Sequence, residues 1–341
     1  MERRIWNIAV IGCSGMGSSH MQGVCAKEGA KLYAICDTEP VRLEECKAKY
    51  NVDIAVTDYR ELVADPNVDA AVIVVPDKLH FPMTKAFLEA GKAVLCEKPM
   101  ALTLEDCEEM MRVEKTTGGK LMIGQVCRCT PAFKMAKELV DAGRIGELVF
   151  VESEYAHNYN NAKGQDNWRV DPDRHGFIGG GCHAVDLLRW IAGDPTEVYA
   201  HANHKILADW PVDDTSIAIY KFPNNVMGKV FVSIGCYRNY TMRSVFYGTK
   251  GTIICDNTSD HMQLFENDPV GGKEFTKPQV LPVDINNHNV GAEIDQFVEA
   301  LQTGSAMPIS SFEGAATVAV CCASVQAARE GKPVQIRYPQ I

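Results

Sequence analysis

Along residues 5–125, short and nearly continuous apolar runs alternate with stretches whose apolar positions recur at helical spacing. The runs cover residues 5–11, 31–36, 54–56, 70–75, 93–96 and 121–124. Strands that are apolar on both faces belong to a parallel sheet sandwiched between helices. Residues 81–90, closed by Gly91, read as one such helix with a C-terminal glycine cap. The alternation predicts a doubly wound α/β domain over residues 1–125.

Beyond residue 126 the pattern changes. Residues 131–141 read as a helix ended by Gly143, and strand patterns follow at 148–154, 198–203, 215–222, 228–233, 244–247 and 252–255. Several alternate or are divided by turn signals such as Pro223-Asn224-Asn225, which suits antiparallel hairpins. In a late helix, 290–301, Val290, Ile294, Phe297, Val298 and Leu301 share one face. The stretch 158–181 is rich in Asn, Asp and Gly and is expected to be a functional loop. A second domain, 126–341, is expected from these elements.

Composition narrows the class. At roughly 150 residues per domain, 341 residues suit two domains. Hydrophobic residues make up 46% and charged residues 23%, as in a globular chain. Thirty-four basic residues against 44 acidic give −10, and no basic patch marks a nucleic-acid or anionic-lipid partner. Apolar runs such as 68–76 are too short to span a membrane. Met1-Glu2-Arg3-Arg4 leads straight into a strand pattern, so no secretory leader is expected. The 13 cysteines are scattered, mostly in apolar segments (Cys13, Cys36, Cys96, Cys321, Cys322), and read as buried thiols kept reduced. A cytoplasmic location is expected.

The first strand ends in Gly12-Cys13-Ser14-Gly15-Met16-Gly17. A glycine-rich turn between strand and helix turns backbone N–H groups and the helix dipole toward a pyrophosphate. Ser14 stands where the usual pattern has its second glycine. Asp37, 20 residues after Gly17 at the end of the second strand, suits the ribose hydroxyls of NAD and repels the 2′-phosphate of NADP. Arg42 keeps some use of NADP open.

His183 and Asp186 stand three apart, so on a helix they share a face; a carboxylate there would raise the basicity of the imidazole. The alternative is an ordinary helix start in which Asp186 pairs with Arg189. Cys127-Arg128-Cys129 and Cys182-His183 lack zinc-site spacing, and no metal is expected.

Leu95-Cys96-Glu97-Lys98-Pro99 adds a sharper marker. With the glycine-rich turn, Pro76-Asp77-Lys78-Leu79-His80 and Gly181-Cys182-His183-Ala184-Val185-Asp186, it resembles the Gfo/Idh/MocA oxidoreductase family. Val212-Asp213-Asp214-Thr215 and Tyr247-Gly248-Thr249-Lys250-Gly251-Thr252 extend the resemblance over essentially the whole chain. It implies an N-terminal Rossmann domain and a C-terminal α+β domain built on a large open, mostly antiparallel sheet. It also implies an NAD(P)-dependent oxidoreductase, and Asp37 favours NAD over NADP. The turn residues, Asp37, Arg42, Pro76, His80, Glu97 and Lys98 would hold the cofactor. Lys98 would touch the reacting oxygen, His183 would take its proton, and Asp186 would orient His183 or bind a second hydroxyl. Arg128, Tyr155, His157, Trp168 and Arg169 are candidate substrate contacts alongside Lys98 and His183. One departure stands out: the aspartate that many family members carry four residues before the histidine is Gly179 here.

The expected reaction is reversible oxidation of a secondary hydroxyl of a sugar, cyclitol or glycoside, with C3 of a glucoside as one form. The alternatives are glycoside cleavage with NAD recycled in place and a non-catalytic NAD-binding sensor. A homo-oligomer (dimer, tetramer or hexamer) is expected through the C-terminal sheet, with Ile217, Ile219, Val230 and Val232 on its outer face.

Overall fold

The computed structural model describes residues 4–266 and 277–340, so the first three residues of the charged lead lie outside it. The chain divides into two compact units, each taken by itself.

The first unit comprises residues 1–126, 289–318 and 339–341. Its sheet holds β1 (Trp6–Ile11), β2 (Ala30–Cys36), β3 (Ile54–Val56), β4 (Ala70–Ile73), β5 (Ala93–Glu97) and β6 (Leu121–Gly124). All neighbours are parallel, in the order β3-β2-β1-β4-β5-β6. β4 and β6 are buried at every position, which explains their unbroken apolar sequences. Helices α1 (Gly15–Ala26), α2 (Pro40–Tyr50), α3 (Tyr59–Ala64), α4 (His80–Glu89) and α5 (Leu104–Thr117) connect the strands. The strand order reverses between β1 and β4. In such sheets the crevice beyond the carboxyl ends at the reversal is where ligands bind.

The second unit comprises residues 127–288 and 319–338. Its helices are α6 (Pro131–Asp141), α7 (Gly176–Gly179) and α8 (Cys182–Ala192). Among the described residues its strands are β7 (Leu148–Ala156), β8 (Glu197–Asn203), β9 (Thr215–Lys221), β10 (Met227–Ser233), β11 (Thr241–Gly248), β12 (Gly251–Asp256), β13 (His261–Glu266), β14 (Gln279–Pro282) and β15 (Val334–Gln335). They run β14-β13-β12-β11-β7-β10-β9-β8-β15. Within this sheet, among the described residues, only the β7–β10 pairing is parallel.

Later in the chain come α9 (Val290–Thr303) and α10 (Ser311–Glu330). α9 belongs to the first unit, where its Ile294 meets Gly23 of α1; a Cβ on Gly23 would stand 3.1 Å from the Ile294 side chain.

The outer face of the second sheet differs from expectation. Ile217 and Ile219 are exposed, together with Met227, but Val230 and Val232 are buried. Register explains it. Val230 lies opposite Ala218 and Val232 opposite Ser216, both inward-facing, so the exposed residues of β9 pair with Phe231 and Lys229 instead.

Candidate active site

In the first unit the glycine-rich turn has the geometry of a phosphate cradle. A Cβ on Gly12 would stand 2.0 Å from the Val74 carbonyl oxygen, and one on Gly17 would stand 1.9 Å from that of Gly12. Both positions therefore require glycine. Gly15, with φ +31°, has nothing within 4 Å of a built Cβ, so its backbone faces open space. Ser14 caps α1 without a side-chain hydrogen bond, which leaves the first-turn amides to other acceptors.

Asp37 closes the cradle. Its Oδ2 accepts from the Cys13 N–H at 2.8 Å and its Oδ1 from the Glu39 N–H at 2.9 Å. Arg42 Nη1 donates to both oxygens at 3.1 Å. A fixed carboxylate beside an uncapped helix start fits a dinucleotide: amides for the pyrophosphate, Asp37 for the ribose hydroxyls.

Pro76 opens the 3₁₀ turn Asp77–Leu79, its carbonyl accepting from the Leu79 N–H. His80 is expected at the cofactor, but the structure commits both its nitrogens to the frame. Nδ1 lies 2.7 Å from the Pro99 carbonyl and Nε2 lies 3.0 Å from that of Val75. Two carbonyl partners require two N–H donors, hence an imidazolium. Burial opposes that charge, yet Cys96, Asp77 and the Pro99 carbonyl outweigh it and raise the pKa to about 9.

Glu97 is likewise turned inward. It accepts from His20 Nε2 at 2.8 Å and from the Lys98 N–H at 3.1 Å. Glu293 of α9, wholly buried, completes a trio with them. Burial opposes ionisation of Glu97, but His20 and Lys98 prevail and hold its pKa below the usual range. Burial and the Glu97 charge push Glu293 well above that range. The half-buried Lys98 therefore has near it two carboxyl groups whose acidities burial and neighbouring charge push in opposite directions.

The second unit, by itself, holds a buried aromatic and imidazole cluster. His183, 2% exposed on α8, lies with Nδ1 3.2 Å from Cys127 Sγ. Its ring stacks on Tyr155 at 24°. The Tyr155 hydroxyl meets Tyr159 at 2.7 Å and His157 Nδ1 at 3.2 Å. Tyr240 packs against Tyr155, His157 and His288. Burial keeps the Tyr155 and Tyr240 pKa values well above the ordinary phenol value, so both stay neutral.

Arg128 and Asp186 have a different relationship from the expected one. Arg128 Nε and Nη2 grip the two Asp186 oxygens at 2.8 and 2.7 Å, both side chains almost wholly enclosed. That bidentate pair anchors α8 instead of presenting Arg128 as an open substrate contact. Arg189, the alternative partner of Asp186, pairs with Asp194.

Trp168 and Arg169 come together with Arg174, whose guanidinium lies 4.9 Å from the Trp168 ring and 5.8 Å from that of Tyr159. Tyr159, Arg174, Tyr240 and His288 escape sequence reasoning. They lie in loops or at strand starts, and no local spacing relates them to His183.

A model described as an oxidoreductase family with an NAD-binding Rossmann fold matches residues 6–125. The Gfo/Idh/MocA C-terminal domain matches residues 133–254. Myo-inositol 2-dehydrogenase of Thermotoga maritima is 27% identical over 96% of this chain and 98% of its own. The NAD⁺-dependent scyllo-inositol 2-dehydrogenase of Bacillus subtilis is 26% identical over 98% and 97%. Levoglucosan dehydrogenase in complex with NADH shares the fold with a TM-score of 0.90 at 22% identity, covering 99% of this chain and 100% of that one.

Proposed function

Because this chain belongs to the Gfo/Idh/MocA oxidoreductases and binds NAD, we propose that it reversibly oxidises a secondary hydroxyl of a sugar or cyclitol to a ketone. The observation that carries this reading is the enclosed cluster of His183, Tyr155, His157, Tyr159 and Tyr240. Phenol hydroxyls and imidazole nitrogens alternate there with ring faces. A polyhydroxylated ring offers the complementary surface of hydroxyl edges and apolar C–H faces.

NAD, when bound, supplies the hydride acceptor. The Lys98 ammonium donates to the reacting oxygen and stabilises the charge that develops on it. His183 takes the hydroxyl proton at Nε2, in the tautomer whose Nδ1–H donates to Cys127 Sγ. The Asp186–Arg128 pair acts on His183 through α8, as a positioning device. Exposed Ile217, Ile219 and Met227 supply the apolar face of a homo-oligomer.

NADH formation across a panel of sugars, cyclitols and glycosides tests the reading. Production of NADH with at least one polyol supports it, and none with any of them overturns it. A glucoside consumed without NADH accumulating would point instead to oxidation at C3 with the cofactor recycled in place.

A further inference from the structure

Three metal-ligating side chains of the second unit converge, although the sequence scatters them. Cys127 lies in the 3₁₀ turn Val126–Cys129, His183 on α8, and His288 just before α9. One donor atom from each lies within 4.8 Å of the other two. Cys127 Sγ and His183 Nδ1 are 3.2 Å apart, and the His183 and His288 ring centroids are 5.4 Å apart. Zinc–sulfur bonds of about 2.3 Å and zinc–nitrogen bonds of about 2.0–2.1 Å put tetrahedral donors roughly 3.6 Å from each other. Cys127 Sγ and His183 Nδ1 already stand near that spacing, and the His288 donor lies within 4.8 Å of both.

The surroundings hold these donors in place. Tyr240 Oη lies 3.2 Å from His288 Nε2, the kind of outer partner that fixes a metal-bound imidazole. The backbone before His288 is tied down. The Asn287 carbonyl accepts from Thr130 Oγ1 at 2.8 Å, and Asn287 Oδ1 accepts from Asn257 Nδ2 at 2.6 Å. Met242 Sδ stands 3.5 Å from Cys127 Sγ and adds a soft, polarisable neighbour. Cys127 and His183 are buried while His288 is half-buried, which gives an ion a route in.

We propose that Cys127, His183 and His288 bind a thiophilic transition-metal ion, with zinc as the occupant. A thiolate with two imidazoles selects zinc-like ions over magnesium or calcium, which prefer oxygen donors. Three protein donors leave a fourth position for water or a substrate hydroxyl, as in catalytic rather than structural zinc sites, and a hydroxyl held there is acidified. The proposal goes beyond the dehydrogenase reading. With an ion bound, His183 would be a ligand, and the metal would supply the acidification of a bound hydroxyl that His183 otherwise provides as base.

The test is a cobalt titration of the reduced, chelator-treated full chain, followed by zinc competition. A single equivalent of Co²⁺ is expected to give a thiolate-to-cobalt charge-transfer band and tetrahedral d–d bands, both erased by Zn²⁺. Cys127→Ser should lose the charge-transfer band. Tyr240→Phe should keep it but weaken affinity roughly 10-fold. Cys129→Ser, at a buried cysteine outside the trio, should leave the spectrum intact and controls for folding. No band in the parent chain, or a band that survives in Cys127→Ser, overturns the site. NADH assays on the same samples separate the two readings. The band without NADH keeps the metal site and removes the dehydrogenase, whereas NADH without the band does the reverse.

Discussion

The guanidinium of Arg174 occupies the space where any side chain at position 179 would begin. A Cβ on Gly179 would lie 2.3 Å from Arg174 Cζ and 2.4 Å from its Nη1. Arg174, 3% exposed, is pinned there by the Gly179 carbonyl, which accepts from its Nη2 at 3.0 Å, and by the rings of Trp168 and Tyr159. The departure at residue 179 is thus coupled to a buried cation.

Overpacking at that contact has a measurable cost. Gly179→Ala should destabilise the protein by about 1–3 kcal/mol, because Arg174 must leave its carbonyl and ring partners. Adding Arg174→Ala should recover part of the loss. Thermal denaturation of the two single variants and the double variant measures the coupling. Additive losses would show that the two residues act independently.

Cofactor choice rests on Asp37. Replacing it with Asn removes the charge that favours ribose hydroxyls and repels a 2′-phosphate, so NAD affinity should fall about 10-fold and the preference over NADP should narrow. Calorimetric titration of both dinucleotides checks this. The argument fails if the parent chain binds NADP more tightly.

Lys98 and His183 should separate kinetically. Lys98→Met is expected to lower kcat by on the order of 10²–10³ with NAD binding retained, since it loses a donor to developing charge. His183→Ala should cost roughly 10²–10⁴ and flatten the low-pH limb of the oxidation rate. An unchanged pH profile in His183→Ala would move proton acceptance to another group.

Breaking the Arg128–Asp186 pair should be worse than removing both members. Arg128→Met leaves a buried carboxylate without its bidentate partner and should cost about 3–5 kcal/mol. The double variant with Asp186→Leu should be closer to the parent. Denaturant unfolding of the two variants measures the difference, and equal losses would mean that the pair has no energetic coupling.

His80 makes stability depend on pH. Its folded pKa of about 9 lies above the ordinary imidazole value of 6.5, so the charged ring favours the folded state. That contribution is fully present below about pH 6.5 and disappears as pH rises through 9. The melting temperature should therefore fall by on the order of 5 °C across that window. His80→Gln should melt lower at pH 6 and show a flatter dependence.

The local sequence was enough to reveal the first sheet, the glycine cradle and Asp37. Parallel strands buried on both faces leave an unmistakable apolar run, and the cradle is a single contiguous turn. Even so, α10 goes unread in the sequence, because its Ala, Val, Cys and Ser residues are small on every side and give no stripe. β14 and β15 are short edge strands without a strong alternation, and β13, beside that edge, alternates over only Met262 and Leu264.

Only the tertiary structure decided who partners whom. Asp186 and His183 share a helix, but Arg128, 58 residues away in sequence, claims the carboxylate. Cys127 and His288 reach His183 because chain segments with no local relationship meet on one unit. Helical spacing determines which side chains share a face. What lies opposite that face depends on long-range packing, and there the sequence carries no period to read.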